Sequence, residues 1–148
     1  MRSIADVTEG VVRAEIDIDA PPEDVFDALT EPAQLAAWWG GDQYRTFDWN
    51  VDLRPGGLWD VKTEGPNGTN SVRGEYLEID RPRRLVYTWH ASWDGFARTV
   101  IHVQLVTIAS GTRVSILHEG FRGRPEACDG HALGWQSVLG WLSAHASR

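Results

Sequence analysis

The feature that most constrains the fold is a long run of short strand patterns followed by a single helical segment. From Tyr44 to Glu119, apolar and polar residues alternate with a period of two, and clusters rich in glycine and proline interrupt the alternation. Such alternation is typical of strands that bury one face. Because strands joined by short turns pair with each other, the pattern predicts an antiparallel sheet whose apolar face another element must cover.

Helical patterns stand before and after this run. Alternation over Val12–Asp19 predicts a first strand, Pro21 and Pro22 begin a short helix, and a second short helix ends at Gly40. A long helix is predicted from about Pro125 to Ala146. Its apolar stripe consists of His131, Trp135, Val138, Leu139 and Leu142. The predicted order is therefore one strand, two short helices, six strands and a long C-terminal helix, which gives about seven strands.

Three glycines, Gly130, Gly134 and Gly140, interrupt this helix. Glycine inside a helix costs roughly 0.5–1 kcal/mol relative to alanine. We interpret these positions as places where a strand or a ligand approaches the helix closely.

The last predicted hairpin fixes which face carries His118. A two-residue turn at Ser110–Gly111 places Leu105 opposite Ile116 and Val103 opposite His118. A slip by one residue would bury Gln104, so the apolar residues of the two strands share one face with His118. That face consists of Val103, Leu105, Val114, Ile116 and His118.

The opposite face of this hairpin brings His102 near Glu119. We interpret this pair as a solvated contact between strands, worth well under about 1 kcal/mol. The alternative, a catalytic dyad, is weaker because an apolar pocket would lie on the other side of the sheet.

Composition excludes several classes of protein. The 148 residues correspond to one domain (residues 1–148, with a core of about 11–146), and the net charge of −7 argues against nucleic-acid binding. No apolar run approaches the roughly 20 residues of a membrane helix. The start of the chain carries no apolar signal segment, so we expect a cytoplasmic protein. A lone cysteine, Cys128, and irregular histidine spacing predict neither a disulfide nor a metal, and no cofactor motif is present.

Eight tryptophans are unusual in a chain of this size, because each has a large apolar ring and an N–H that requires a partner. So many indoles indicate either a very aromatic core or a lined cavity.

Segments along almost the whole chain, from about residue 11 to 146, resemble one family. The matching segments are Ile18–Thr30, Leu35–Trp39, Asp52–Gly57, Gly74–Ile79, Pro82–Trp89, Gly111–Val114, His118–Phe121 and Gly134–Trp135. Their order and spacing resemble the SRPBCC or START-like superfamily. Within it, the chain is most similar to the family named for the activator of heat-shock-protein-90 ATPase, in its C-terminal-domain-like branch.

The resemblance implies an α+β helix-grip fold, in which a curved antiparallel sheet wraps around the C-terminal helix, with two short helices after the first strand. It also implies a hydrophobic cavity between sheet and helix that takes a small apolar or amphipathic ligand. The family name adds a stress-response role and contact with a chaperone as further expectations.

Taken with this resemblance, the aromatic set predicts the wall of a ligand-binding cavity; the alternative is a filled core. The predicted ligand-binding residues are Trp38, Trp39, Trp49, Trp59, Tyr76, Trp89, Ile116, His118, His131, Trp135 and Leu139.

Three functional hypotheses follow from this cavity. We favour a binding module in which His118 anchors a polar group of the ligand. The alternative is a cyclase, dehydratase or hydrolase in which His118, or as second candidate His131, acts as acid or base. The third is a chaperone-interacting stress-response protein. An exposed strand edge, with Trp93 or Trp141 on the surface, would favour a homodimer.

Overall fold

The computed structural model describes residues 1–147 and contains one antiparallel sheet of eight strands with three α-helices. The strands are β1 (Arg2–Asp6), β2 (Val11–Ile18), β3 (Arg45–Val51), β4 (Leu58–Gly65), β5 (Gly68–Asp80), β6 (Arg84–Ala91), β7 (Thr99–Ile108) and β8 (Gly111–Glu119). The helices are α1 (Pro22–Thr30), α2 (Pro32–Trp38) and α3 (Pro125–Ala146). The strand order is β1-β2-β8-β7-β6-β5-β4-β3. The predicted α+β helix-grip class is confirmed.

The sheet has one strand more than the predicted number, because β1 pairs with β2 at the edge of the sheet. The sequence analysis misses β1 because this edge strand of five residues buries few side chains and therefore shows no clear alternation. Ile4, its largest apolar residue, is exposed. The two short helices consequently follow the second strand of the chain rather than the first.

The predicted register of the last hairpin is wrong by two residues. The turn is Ala109–Ser110, so Ile108 pairs with Gly111 and Ile101 with His118. Gly111 is the first residue of β8. Only glycine fits there, because its φ is +145° and a Cβ would lie 2.2 Å from the carbonyl oxygen of Ile18. A shift of two residues keeps every side chain on its face, and the predicted inward face is fully buried.

The helices lie at the two ends of the sheet. α3 packs on β1 and β2, and α2 packs on β3 at the opposite edge. α1 contacts α2, α3 and the β7–β8 hairpin, and thereby links the two ends. The apolar side of α3 is buried at Cys128, Trp135 and Leu142, among other positions. Between α3 and the strands β3 to β6, the inner face of the sheet is left partly uncovered, and the candidate site lies there.

Candidate functional site

A cavity of about 1010 Å³ lies between the inner face of the sheet and α3. Its walls come from β3, β4, β5, β6 and β8, from the segments after α2 and β6, and from α3 between its start and Val138. Most exposed residues of the wall belong to the β4–β5 hairpin, the turn after β6 and the first turns of α3; Gln43, after α2, is exposed as well. The mouth of the cavity therefore lies between that hairpin and the start of α3.

Five tryptophans line the cavity. Trp93 is exposed at the mouth, and the other four, Trp39, Trp49, Trp89 and Trp135, form the inner aromatic wall. They are grouped around Trp39, whose ring centroid lies 6.0 Å from that of Trp49, 6.1 Å from Trp89 and 6.3 Å from Trp135. These separations are those of aromatic rings in direct contact. The group is thus a continuous surface rather than a set of isolated rings.

Each of these indoles donates its N–H to a protein acceptor. Trp39 Nε1 donates to the Tyr44 hydroxyl at 3.1 Å, and Trp49 Nε1 donates to the Thr46 hydroxyl at 3.0 Å. Trp89 and Trp135 donate to ring nitrogens of two histidines. Because each indole N–H already has a protein acceptor, the group offers a ligand mainly carbon and π contacts.

His118 lies on β8 with no exposed surface, and both of its ring nitrogens are engaged. Nδ1 accepts the Trp135 N–H at 3.0 Å, so the ring proton sits on Nε2. Nε2 lies 2.7 Å from the hydroxyl of Thr99, which donates to the carbonyl oxygen of Trp89 at 3.0 Å. Burial, assisted by His131 nearby, holds the pKa of His118 well below its usual 6.5, so the ring is neutral.

His131, on α3, is also neutral and fully engaged. Its Nδ1 lies 2.8 Å from the Ala127 carbonyl oxygen, which can only accept, so Nδ1 carries the proton. Nε2 accepts the Trp89 N–H at 3.3 Å. Burial lowers the pKa of His131 below 6.5. Its ring centroid lies 5.2 Å from that of His118, so the two predicted histidines do meet.

The predicted ligand-binding residues divide between cavity and core. The structure places six in the wall: Trp39, Trp49, Trp89, His118, His131 and Trp135. The other five, all buried outside the wall, are Trp38, Trp59, Tyr76, Ile116 and Leu139.

For three of these five residues, contacts with a neighbouring element explain the position in the core. Trp38 donates its N–H to the Ala28 carbonyl at 2.9 Å, which joins α2 to α1. Trp59 lies against Gly74 of β5, where a Cβ would come within 2.4 Å of the indole nitrogen. Tyr76 packs edge-on against Tyr87. Strand alternation identifies these residues as inward-facing, but inward-facing residues include both core and cavity positions.

The helix glycines explain part of the open volume. Gly130 and Gly134 line the cavity, and a Cβ at either position would meet no atom within 4 Å. The expected close approach of a strand does not occur; the space in front of these glycines is empty. Gly140 also has open space around it but lies outside the wall.

The wall includes polar residues that the sequence analysis misses. Tyr44 lines the cavity and burial raises its pKa, so the phenol is neutral. At the mouth, Arg124 Nη1 lies 2.6 Å from both carboxylate oxygens of Asp94, and its Nη2 donates to the Gly120 carbonyl at 3.0 Å. Sequence reasoning misses them because Tyr44 and Arg124 lie between elements, where periodicity carries no signal.

The tryptophans expected at the surface differ from each other. Trp93 is 53% exposed and stacks on His131 at the mouth, with ring centroids 6.3 Å apart. Trp141 is only half-buried, not exposed, because its ring packs edge-on against Tyr44 at 5.5 Å.

On the outer face of the sheet, His102 Nε2 lies 3.2 Å from Glu119 Oε2 but makes no hydrogen bond with it. The predicted proximity is confirmed, and the cavity lies on the other side of the sheet. Within residues 1–147, no three His, Cys, Asp or Glu side chains are grouped so that they could hold a metal ion. None of the helices in the same residues is both long and apolar enough to cross a membrane.

Comparison with solved structures supports the same architecture. CV1439 from Chromobacterium violaceum is 27% identical, with a TM-score of 0.82 over 94% of this chain and 98% of that chain. Protein Ms6760 from Mycobacterium smegmatis is 19% identical, with a TM-score of 0.85 over 97% of this chain and 94% of that one. An AHSA1-like protein from Aeromonas hydrophila is 20% identical, with a TM-score of 0.78 over 91% of this chain and 90% of that one.

No curated protein matches the sequence. The family model described as "Activator of Hsp90 ATPase homolog 1-like protein" matches residues 19–147, in agreement with the resemblance seen in the sequence. The chain therefore belongs to the family of activator of Hsp90 ATPase homolog 1-like proteins.

Proposed function

We propose that this protein binds a small hydrophobic or amphipathic ligand in the cavity between its sheet and α3. The observation that carries the proposal is a volume of about 1010 Å³ whose inner wall is a continuous group of four tryptophans. Pockets for small molecules usually occupy about 300–1,000 Å³ and are mainly apolar and aromatic. A filled aromatic core would instead leave few voids larger than a water molecule.

The cavity-lining glycines support the proposal independently of the tryptophans. Gly130 and Gly134 forgo helix stability of roughly 0.5–1 kcal/mol each relative to alanine. A Cβ at either position would meet no neighbouring atom within 4 Å, so close packing does not explain why these residues are glycines. A need for space to hold a bound molecule does explain it.

In this proposal His118 and His131 shape the wall rather than anchor the ligand, because protein atoms engage all four ring nitrogens. The same engagement weakens the enzyme alternative: a general acid or base must reach the substrate, and His118 would first have to break its bond to Thr99 or to Trp135. Contact with a chaperone and a homodimer do not depend on the cavity, and both remain predictions.

The test is a fluorescence titration with N-phenylnaphthylamine, an uncharged probe whose emission rises in apolar surroundings. Gly134→Leu is the test variant, because a side chain there leans toward Gly130 and into the cavity. Gly140→Leu is the matched control: it adds the same side chain to the same helix, outside the wall. We expect the wild type and Gly140→Leu to bind the probe equally, and Gly134→Leu to bind at least about tenfold more weakly.

A wild type that leaves the probe emission unchanged would refute the proposal. Equal binding by the two leucine variants would also refute it, since the probe would then sit elsewhere on the surface. Denaturation midpoints of both variants establish that each is folded.

A further inference from the structure

The polar groups of the cavity wall indicate what kind of head group a ligand can carry, and this inference rests on the proposed function. Among the described residues of the wall, Arg124 is the only one with a permanent positive charge. Its guanidinium is held by both oxygens of Asp94 and by the Gly120 carbonyl. A ligand carboxylate would have to displace Asp94 to reach it.

The other nitrogen groups of the inner wall offer no charge to an anion. His118 and His131 are neutral and donate to Thr99 and to the Ala127 carbonyl, and the four indole N–H groups are donated within the protein. An acidic residue, Glu126, also lines the mouth. Burying a carboxylate without a paired charge is costly. The wall therefore disfavours anionic ligands.

Beside the inner group of four tryptophans, Tyr44 is the polar group that keeps a free donor. Its oxygen accepts the Trp39 N–H at 3.1 Å, which fixes the hydroxyl beside the tryptophan group. A phenol has one donor in addition to its acceptor sites. Within residues 1–147, no hydrogen bond takes up that proton. The hydroxyl can therefore donate to a molecule in the cavity.

We propose that the cavity selects uncharged ligands that combine an apolar or aromatic ring with a hydrogen-bond acceptor, such as a ketone, ester or ether oxygen, and that Tyr44 donates to this acceptor. Carboxylates of the same ring system are rejected. The neutral donors at the hairpin end of the wall, on Thr63 and Asn70, are compatible with the same class.

Three naphthalenes that differ in one substituent test this selectivity: naphthyl methyl ketone, ethylnaphthalene and naphthoate. Each competes with N-phenylnaphthylamine for the purified protein near neutral pH. We expect the ketone to bind about fivefold more tightly than the hydrocarbon, which corresponds to one neutral hydrogen bond. We expect naphthoate to bind at least about tenfold more weakly than the ketone.

Two variants assign the effect to Tyr44. Tyr44→Phe should reduce the ratio between ketone and hydrocarbon affinities to about one. Because both ligands are measured on the same variant, any general loss of affinity caused by the freed Trp39 N–H cancels in this ratio. Tyr76→Phe, which removes a hydroxyl from the core outside the wall, should leave the ratio unchanged.

Two outcomes overturn the inference while leaving the proposed function intact: naphthoate competing as well as the ketone, or a ketone preference that survives in Tyr44→Phe. If the neutral probe binds and none of the three compounds displaces it, the inference also fails. If the wild type does not bind the probe at all, the proposed function itself has failed, so the two failures can be distinguished.

Discussion

Trp38 and Trp39 are neighbours in the chain but lie in two different kinds of region. Trp38 is 4% exposed, fills the core beneath α1 and α2, and donates to a backbone carbonyl. Trp39 is half-buried, lines the cavity, and donates to the hydroxyl of Tyr44. Aromatic side chains in this protein therefore either fill the core or line the cavity, and the surroundings of each ring determine which role it has.

The largest expected difference between the two regions is in stability. Trp38→Ala should lower the free energy of unfolding by about 3–5 kcal/mol, because it removes a large packed side chain and leaves a void. Trp39→Ala should cost clearly less, because one side of this ring already faces open space, and it should weaken binding of the neutral probe. Urea denaturation of both variants and a probe titration of Trp39→Ala provide the measurements.

An equal loss of stability in the two variants would contradict this comparison. It would mean that Trp39 is packed on all sides and that the cavity is a filled core.

The next difference concerns buried hydroxyls. Thr99→Val removes the partner of His118 Nε2 and should cost about 1–3 kcal/mol, because a buried donor is left unsatisfied. Thr30→Val is the matched control in the filled region: Thr30 is equally buried, but its hydroxyl donates to Phe26 within the same helix. We expect Thr30→Val to cost less than Thr99→Val in urea denaturation. The reverse order would show that the links around His118 do not stabilise the fold.

Much of the fold is predictable from the sequence because its causes are local. Alternation identifies β2 to β8, and helical spacing identifies the buried side of α3. β1 is missed because an edge strand needs little alternation, and the hairpin register is missed because the role of Gly111 depends on the Ile18 carbonyl of another strand. Both errors leave the assignment of faces intact.

The site is less predictable, because a cavity forms where side chains from several elements leave space unfilled. Trp59 and Trp89 are both inward-facing tryptophans on strands, but only Trp89 lines the cavity. The difference is made by Gly74, whose missing side chain lets the Trp59 ring lie against the neighbouring strand. Tyr44 and Arg124 reach the wall from segments between elements. Only tertiary packing determines these placements.

Acidification should destabilise the cavity side of the protein. Burial lowers the pKa values of His118 and His131 below 6.5, so the unfolded chain binds more protons than the folded one as the pH falls below that value. Stability should therefore be complete above about pH 6.5 and fall on acidification, by up to about 1.4 kcal/mol per pH unit for each proton. Arg124, which also faces His118, reinforces the effect.

Urea denaturation at about pH 7.5 and about pH 5.5 measures this slope. His118→Gln removes one of the two groups and should flatten the slope, although the variant is less stable at both pH values. A slope that is unchanged in His118→Gln would show that His118 is already protonated in the folded protein.

The smallest expected effect comes from the helix glycines. Gly134→Ala and Gly140→Ala should each raise the free energy of unfolding by roughly 0.5–1 kcal/mol, because alanine favours the helix and neither Cβ meets an atom within 4 Å. Only Gly134→Ala reduces the cavity, so only that variant should weaken binding of the neutral probe. A destabilised Gly134→Ala beside a stabilised Gly140→Ala would mean that packed side chains occupy the space in front of Gly134. Gly134 would then lie against the core and not in the wall of the cavity.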